Sequence, residues 1–98
     1  MSKHGAEQAV PFNVKTLGKR KLDRQKISMV TCYDAAFGSL IEKSGIDMVL
    51  VGDSMGNVVL GFKDTIPVTI EHVVHHSAAV ARVIKRPMLV ADMPFMSY

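Results

Sequence analysis

Two aspartates follow apolar segments that have the composition of β-strands, and their placement suggests a metal site. The stretch MVLVGDSMG, residues 48–56, passes from buried residue types directly into Asp53 and Ser54. A second stretch, MLVADMPF, continues in the same way into Asp92. If the two strands are parallel neighbours, their axes lie about 4.8 Å apart and both carboxylates emerge at one rim. Carboxylates that close repel each other unless a cation or a proton neutralises them.

A hard divalent cation is the sharper hypothesis for this pair. Mg²⁺ takes oxygen ligands and usually keeps waters that a substrate can displace. The alternative is that Asp53 and Asp92 each cap a following helix or turn, and spacing alone favours that alternative. Ser54 is likewise either a donor to a substrate or a turn residue, and on its own the turn is favoured.

Two further sets of reactive side chains have ordinary structural explanations. Cys32 follows the first predicted strand, but no basic partner is evident that would lower the pKa of its thiol, so a small buried hydrophobe is favoured. His72 and His76 have the i, i+4 spacing of zinc ligands, yet EHVVHH is not the H-E-x-x-H motif. We expect these two histidines and His75 on a solvated or interface face, opposite the apolar stripe of their helix.

Strands and helices alternate along the chain, which predicts a parallel α/β fold. The predicted strands cover residues 27–31, 48–52 and 88–91. Asp34 and Thr69 are the predicted N-caps of the two helices between them, and Gly45 ends the first helix. The apolar spacing predicts their buried faces: Phe37, Leu40, Ile41 and Ser44, then Ile70, Val73, Val74, Ser77, Ala78 and Ala81.

The connection over residues 54–68 is unusually long for a parallel α/β unit. Strand-to-helix connections usually take about 2–6 residues, and a loop near fifteen is generally functional. Parallel α/β proteins also place their chemistry at the carboxyl ends of strands. Both Asp53 and Asp92 stand at such ends, so we expect the site there.

Composition bounds the class of protein. The chain has 98 residues, of which 48% are hydrophobic and 21% charged, as in one globular domain at most. A single cysteine excludes an internal disulfide and fits a reducing compartment. No apolar run approaches the roughly 20 residues of a membrane span, and the start MSKHGAEQAV lacks the apolar region of a secretory signal. We therefore expect a cytoplasmic protein with no membrane partner.

The net charge of +3 comes from one basic segment, residues 15–26. Its cations are Lys15, Lys19, Arg20, Lys21, Arg24 and Lys26. No aromatic side chain is interleaved to stack on bases, so we expect a solvated helix face or a subunit contact and no nucleic-acid partner. Residues 1–12 are predicted to be a mobile tail, and residues 13–98 the N-terminal part of a single domain that begins with this basic helix.

Four blocks of the sequence, in order, resemble the ketopantoate hydroxymethyltransferase family: YDAAF, VGDSMG, PVT and ADMPFMSY. The resemblance runs from about Thr31 to Tyr98. It implies the first three βα units of a (β/α)8 TIM-type barrel, truncated here. It also implies transfer of a hydroxymethyl group from 5,10-methylenetetrahydrofolate, the folate co-substrate, to 3-methyl-2-oxobutanoate. The product is 2-dehydropantoate (ketopantoate), in pantothenate biosynthesis.

The same resemblance implies site residues at matching positions. Asp53 and Asp92 match the Mg²⁺ ligands, and Ser54 matches the serine that contacts the keto acid, so these three form the expected substrate site. The ion would polarise the keto carbonyl and favour loss of the C3 proton. A further acidic ligand, a lysine and the glutamate base belong to later strands of the family, so no catalytic residue is expected within this chain. A ring-like homo-oligomer is also implied.

Two other functions stay open on the sequence. One is a Mg²⁺-dependent α-oxo-acid C–C lyase or phosphonomutase of the related phosphoenolpyruvate mutase and isocitrate lyase barrels. The other is a non-catalytic α/β module that uses residues 15–26 to bind a partner. Because three parallel strands leave unpaired edges, we expect the 98-residue chain alone to be unstable and inactive.

Overall fold

The structure is a computed structural model that describes residues 10–98, and it combines one parallel sheet with four helices. In chain order the elements are α1 (Val14–Leu22), β1 (Met29–Thr31), α2 (Ala35–Ser44), β2 (Met48–Val51), α3 (Met55–Val58), α4 (Ile70–Ala81) and β3 (Met88–Ala91). The strands lie in the order β1-β2-β3, and both pairings are parallel. The predicted parallel α/β alternation is therefore confirmed.

The register of the sheet brings the three strand ends to one edge. Met48 of β2 is paired with Met29 on one side and Met88 on the other. At the opposite end of β2, Val51 is paired with Ala91. Parallel strands that share a register finish together, so the segments after β1, β2 and β3 all leave the sheet at the same rim.

The predicted helix caps are confirmed. The Asp34 carboxylate accepts a hydrogen bond from the Phe37 N–H at 2.9 Å, and Gly45 ends α2 in the left-handed region with φ 83°. Thr69 Oγ1 accepts from the His72 N–H at 3.3 Å, while His72 Nδ1 accepts from the Thr69 N–H at 2.9 Å. This reciprocal pair satisfies the first free donors of α4.

The predicted buried face of α2 is wrong in part. Ile41 is buried, but Phe37 and Leu40 are 62% and 63% exposed, and Ser44 is exposed as well. The contact with the segment after α4 is made at Gly38, where an added Cβ would lie only 2.6 Å from Val83 Cγ2. A helix packs closely where its side chains are smallest, and apolar spacing alone does not reveal that side.

The predicted face of α4 is also displaced. Val73 and Val80 are buried, whereas Val74 is 60% exposed, although it was expected inside. His72 and His76 are half-buried on the flank of this face, and His75 alone among the three is exposed. The expectation that all three histidines lie opposite the buried stripe is therefore wrong for two of them. His76 is hydrogen-bonded to the Tyr33 carbonyl after β1, and His72 to the N–H of Thr69, the N-cap of its own helix.

The core lies between the central strand and the helices. Val49 and Val51 of β2 are fully buried, whereas Met48 and Leu50 on its other face are only half-buried. The remaining buried core residues are Cys32, Ile41, Met55, Val68, Val73, Val80 and Ile84. Helix α4 packs on β2, on β3 and on α2. β2, the strand that precedes Asp53, is thus the most deeply buried strand of the sheet.

The leading helix is joined to the sheet through aromatic and ionic contacts. Phe12 is 4% exposed and donates its N–H to the Arg86 carbonyl at 2.7 Å. The Arg20 guanidinium carbon lies 5.4 Å from the centroid of the Phe12 ring. The predicted mobile tail, residues 1–12, falls mostly on residues 1–9, which lie outside the described residues.

A buried carboxylate, Asp47, anchors the end of the sheet remote from the predicted site. Asp47 is 5% exposed and immediately precedes β2. It accepts hydrogen bonds from Arg86 Nη2 at 2.8 Å, from Arg20 Nη1 at 3.1 Å and from the Ser28 N–H at 3.1 Å. Burial raises the pKa of the Asp47 carboxyl, but the hydrogen bonds from Arg86, Ser28 and Arg20 outweigh it, so the pKa lies below its usual value.

No helix within residues 10–98 combines the length and the apolar character needed to cross a bilayer.

Candidate functional site

The rim at the carboxyl ends of β2 and β3 holds both predicted metal ligands. The Asp92 N–H donates to the Val51 carbonyl at 3.1 Å, which extends the ladder one step past the end of β3. Asp92 therefore leaves the sheet directly from the end of its strand. Asp53 follows β2 by two residues, after Gly52.

The Asp92 carboxylate lies over the turn that precedes Asp53. A Cβ added to Gly52 would meet Asp92 Oδ2 at 3.6 Å, an ordinary van der Waals contact. Asp53 is half-buried and Asp92 is exposed. Both aspartates thus lie beside Gly52, as expected if β2 and β3 are parallel neighbours.

The capping alternative finds no support among the described residues. Within residues 10–98, neither the Asp53 nor the Asp92 carboxylate takes part in one of the side-chain hydrogen bonds or ion pairs. Asp34 and Asp64, by contrast, each accept a bond from a nearby backbone N–H. Within residues 10–98, neither rim aspartate therefore acts as a cap through its side chain.

The described residues offer these acids as a pair rather than as part of a larger cluster. Among residues 10–98 there is no group of three or more histidine, cysteine, aspartate or glutamate side chains that could hold a metal ion. For His72 the zinc hypothesis also lacks a donor atom, because its Nδ1 accepts from the Thr69 N–H and a neutral ring then carries its proton on Nε2, with no lone pair left for a metal.

Ser54, the predicted substrate contact, is linked to the neighbouring strand end. Its Oγ is hydrogen-bonded to the hydroxyl of Tyr33, which follows β1. Ser54 also stands at the start of α3, where its side chain makes no capping bond. A turn role therefore explains the backbone position of Ser54, but it does not explain the hydrogen bond between its hydroxyl and Tyr33.

The contact between Tyr33 and His76 at this rim was not predicted from the sequence. His76 Nδ1 lies 2.7 Å from the Tyr33 carbonyl oxygen. Because a carbonyl only accepts, His76 must carry a proton on Nδ1. Tyr33 stands in the exit of β1, at the same rim as Asp53, and that position was the one signal in the sequence that pointed to it. His76 had no such signal, since its partner is 43 residues away.

The long connection after Asp53 is a packed structure that positions the aspartate. It contains α3, which was not predicted, and Met55 within it is fully buried. The Gly56 N–H donates to the Asp53 carbonyl at 2.9 Å. A Cβ at Gly56 would lie 2.5 Å from Val68 Cγ2, so only glycine allows the two segments to approach this closely.

Cys32 has no part in the rim chemistry. The thiol is 3% exposed, as predicted for a buried hydrophobe, and its Sγ donates to the Asp34 carbonyl at 3.4 Å. Burial raises the pKa of the Cys32 thiol, against smaller opposing effects of backbone hydrogen bonds. A protonated, enclosed thiol is a poor nucleophile.

Comparisons with known proteins agree on one kind of enzyme. A family model described as ketopantoate hydroxymethyltransferase matches residues 11–98. The 3-methyl-2-oxobutanoate hydroxymethyltransferases of Aromatoleum aromaticum and Azoarcus sp. are 52% and 50% identical over 88 residues, 90% of this chain and 32% of each relative. That of Thermoanaerobacter sp. (strain X514) is 53% identical over 83 residues, 85% of this chain and 30% of the relative.

This chain therefore spans about a third of the length of the curated relatives it matches. The resemblance first seen in four sequence blocks extends over residues 11–98, which are nearly all of the residues that the structure describes. From the match over residues 11–98, the chain belongs to the ketopantoate hydroxymethyltransferase family.

Proposed function

We propose that this chain supplies part of an enzyme that moves a hydroxymethyl group from 5,10-methylenetetrahydrofolate to 3-methyl-2-oxobutanoate, giving 2-dehydropantoate. The observation that carries the proposal is the family match over residues 11–98. Three parallel strands in sequence order support the further proposal that the chain forms the first βα units of a (β/α)8 barrel. The folate co-substrate, the pathway role and a homo-oligomeric state are proposed for the whole protein.

Asp53 and Asp92 are proposed to hold Mg²⁺. In support, both carboxylates leave adjacent strands at one rim, and neither is engaged in the hydrogen bonds or ion pairs of residues 10–98. Mg²⁺ is usually bound through one or two carboxylates, with waters and substrate oxygens completing the octahedron, so this donor set fits the ion. When bound, Mg²⁺ would supply a Lewis acid for the keto oxygen of the substrate.

The chain's own residues would bind and orient the oxo acid. Ser54 is proposed to donate its hydroxyl proton to an oxygen of the substrate, beside the Asp53 carboxylate. Met55 and Val68, both buried, fix the backbone that carries these two residues, so the donor and the acid keep a constant spacing. No general base is assigned within residues 10–98.

The rival functions differ in what they require. A C–C lyase or phosphonomutase would bind Mg²⁺ and an oxo acid but would not need folate, and a binding module would show no linkage between ion and oxo acid. The relatives are named as hydroxymethyltransferases, which favours the transferase over both.

The test uses the complete enzyme that carries this chain and the variants Asp53→Asn and Asp92→Asn. Mg²⁺ affinity is measured by calorimetric titration with and without 3-methyl-2-oxobutanoate, and turnover as folate-dependent formation of 2-dehydropantoate. Each variant should bind Mg²⁺ at least about tenfold more weakly, because it lacks one of two anionic ligands.

Asp23→Asn is the matched control, since it removes the same charge from the exposed end of α1. It should leave both affinity and turnover unchanged. Mg²⁺ binding of Asp53→Asn equal to that of the wild type would contradict the metal site. A wild-type enzyme that forms product without folate, or forms none, would contradict the transferase.

A further inference from the structure

We propose that Tyr33 is a positioning residue that directs the hydroxyl proton of Ser54 toward the substrate. The inference rests on the proposed role of Ser54 as a substrate contact and goes beyond it, because it names the group that sets the direction of that hydrogen bond. Three elements take part: the exit of β1, the exit of β2 and helix α4.

The geometry supplies one fixed partner for each end of Tyr33. Its hydroxyl is hydrogen-bonded to Ser54 Oγ, and its backbone carbonyl accepts from His76 Nδ1 at 2.7 Å. All three side chains are half-buried. A phenol held at both its backbone and its tip has little rotational freedom, so the position of Ser54 Oγ is constrained from the neighbouring strand.

The direction of the hydroxyl bond follows from counting protons. Tyr33 and Ser54 each have one hydroxyl proton, and either can donate to the other. The carboxylate and keto oxygens of an oxo acid only accept, so Ser54 must keep its own proton for the substrate. Tyr33 must then donate to Ser54. The resulting order is Tyr33 O–H to Ser54 Oγ–H to substrate oxygen, in which each bond polarises the next.

The experiment is a double-mutant cycle in the complete enzyme with Tyr33→Phe, Ser54→Ala and the double variant. Tyr33→Phe keeps the ring and removes only the donor. We expect KM for the oxo acid to rise about 3- to 10-fold with kcat nearly unchanged, as for loss of one neutral hydrogen bond made in both ground and transition states. In the Ser54→Ala background the same substitution should change KM less than about twofold.

Equal losses in both backgrounds would overturn the proposal, because a structural role of Tyr33 does not depend on the Ser54 hydroxyl. If Tyr33→Phe does not fold, His76→Ala is used in the same cycle. It releases the Tyr33 carbonyl and should raise KM only when Ser54 is present. His76→Asn, which keeps an N–H donor near the Nδ1 position, should restore the wild-type value, and failure of both effects overturns the proposal.

The readout separates this proposal from the proposed function. If the wild type binds the oxo acid with Mg²⁺ but transfers no hydroxymethyl group, the transferase is refuted. The cycle is then read on Kd of the oxo acid by calorimetry, with the same expected factors. A wild type that does not bind the oxo acid at all overturns both proposals.

Discussion

Replacing Asp47 by asparagine should cost the protein a large share of its stability. The substitution keeps the shape of the side chain but removes the charge that Arg20 and Arg86 share. It also places an amide N–H where a guanidinium now donates. Two cations are then left beside a neutral group at the base of the sheet.

The size of the effect follows from how deeply the cluster lies. Breaking a fully buried ion pair by removing one partner costs about 3–5 kcal/mol. Here the Asp47 side chain is 7% exposed, but those of Arg20 and Arg86 are 25% and 16% exposed, so water can partly solvate the freed cations. We therefore expect a loss of about 2–3 kcal/mol in the free energy of unfolding at pH 7.

Acid should remove the same contribution. The folded-state pKa of Asp47 is depressed, so its stabilising effect is complete above the unfolded pKa of about 3.9 and is lost as the pH falls through the folded value. The difference in stability between the wild type and Asp47→Asn should thus be constant near neutrality and should shrink below about pH 4.

Urea unfolding of the complete enzyme, followed by circular dichroism from pH 7 down to pH 3, measures both quantities. Asp23→Asn is the control, because its exposed pair with Lys19 contributes less than about 1 kcal/mol. If Asp47→Asn loses no more stability than Asp23→Asn, or if its deficit is the same at every pH, the cluster does not stabilise the fold in the way described.

Two further predictions concern packing. Gly56→Ala should lower the free energy of unfolding by about 1–3 kcal/mol, because its Cβ would fall 2.5 Å from the buried Val68. Gly18→Ala is the comparison, because Gly18 lies in an exposed helix and an added Cβ would have nothing within 4 Å. It should raise the free energy of unfolding by up to about 1 kcal/mol. Urea unfolding measures both variants, and equal changes in the free energy of unfolding would refute the close approach of Gly56 to Val68. Cys32 should react with a water-soluble disulfide reagent only as the protein unfolds, because it is enclosed and its pKa is raised; fast modification of the native enzyme would contradict its burial.

Local signals in the sequence predicted the elements well. Apolar runs gave the three strands, and the cap residues Asp34, Gly45 and Thr69 each stand where the structure has them. Such features depend on residues a few positions apart, which a single sequence displays directly. The helix faces were predicted less well, because the side of α2 that packs is decided by Gly38, which carries no apolar side chain.

The site was predictable only as far as topology reaches. Parallel neighbours with matched ends place Asp53 and Asp92 at one rim, and that much follows from the alternation of elements. Contacts between distant segments leave no such pattern. Asp47 meets Arg86 across 39 residues and Tyr33 meets Ser54 across 21, and nothing local marks either pair. The roles of Asp53, Asp92 and Ser54 in binding stay predictions that rest on the family resemblance.

An aspartate flanks each end of the central strand β2, and the two differ in whether the described residues neutralise their charge. Asp47, ahead of β2, is neutralised by the protein's own arginines, while Asp53, past its far end, has no such partner among residues 10–98. About 13 Å of strand lies between them, far enough for changes at the two extremities to add independently. Substitutions at Asp47 that alter stability should therefore leave the proposed metal site at Asp53 unaffected.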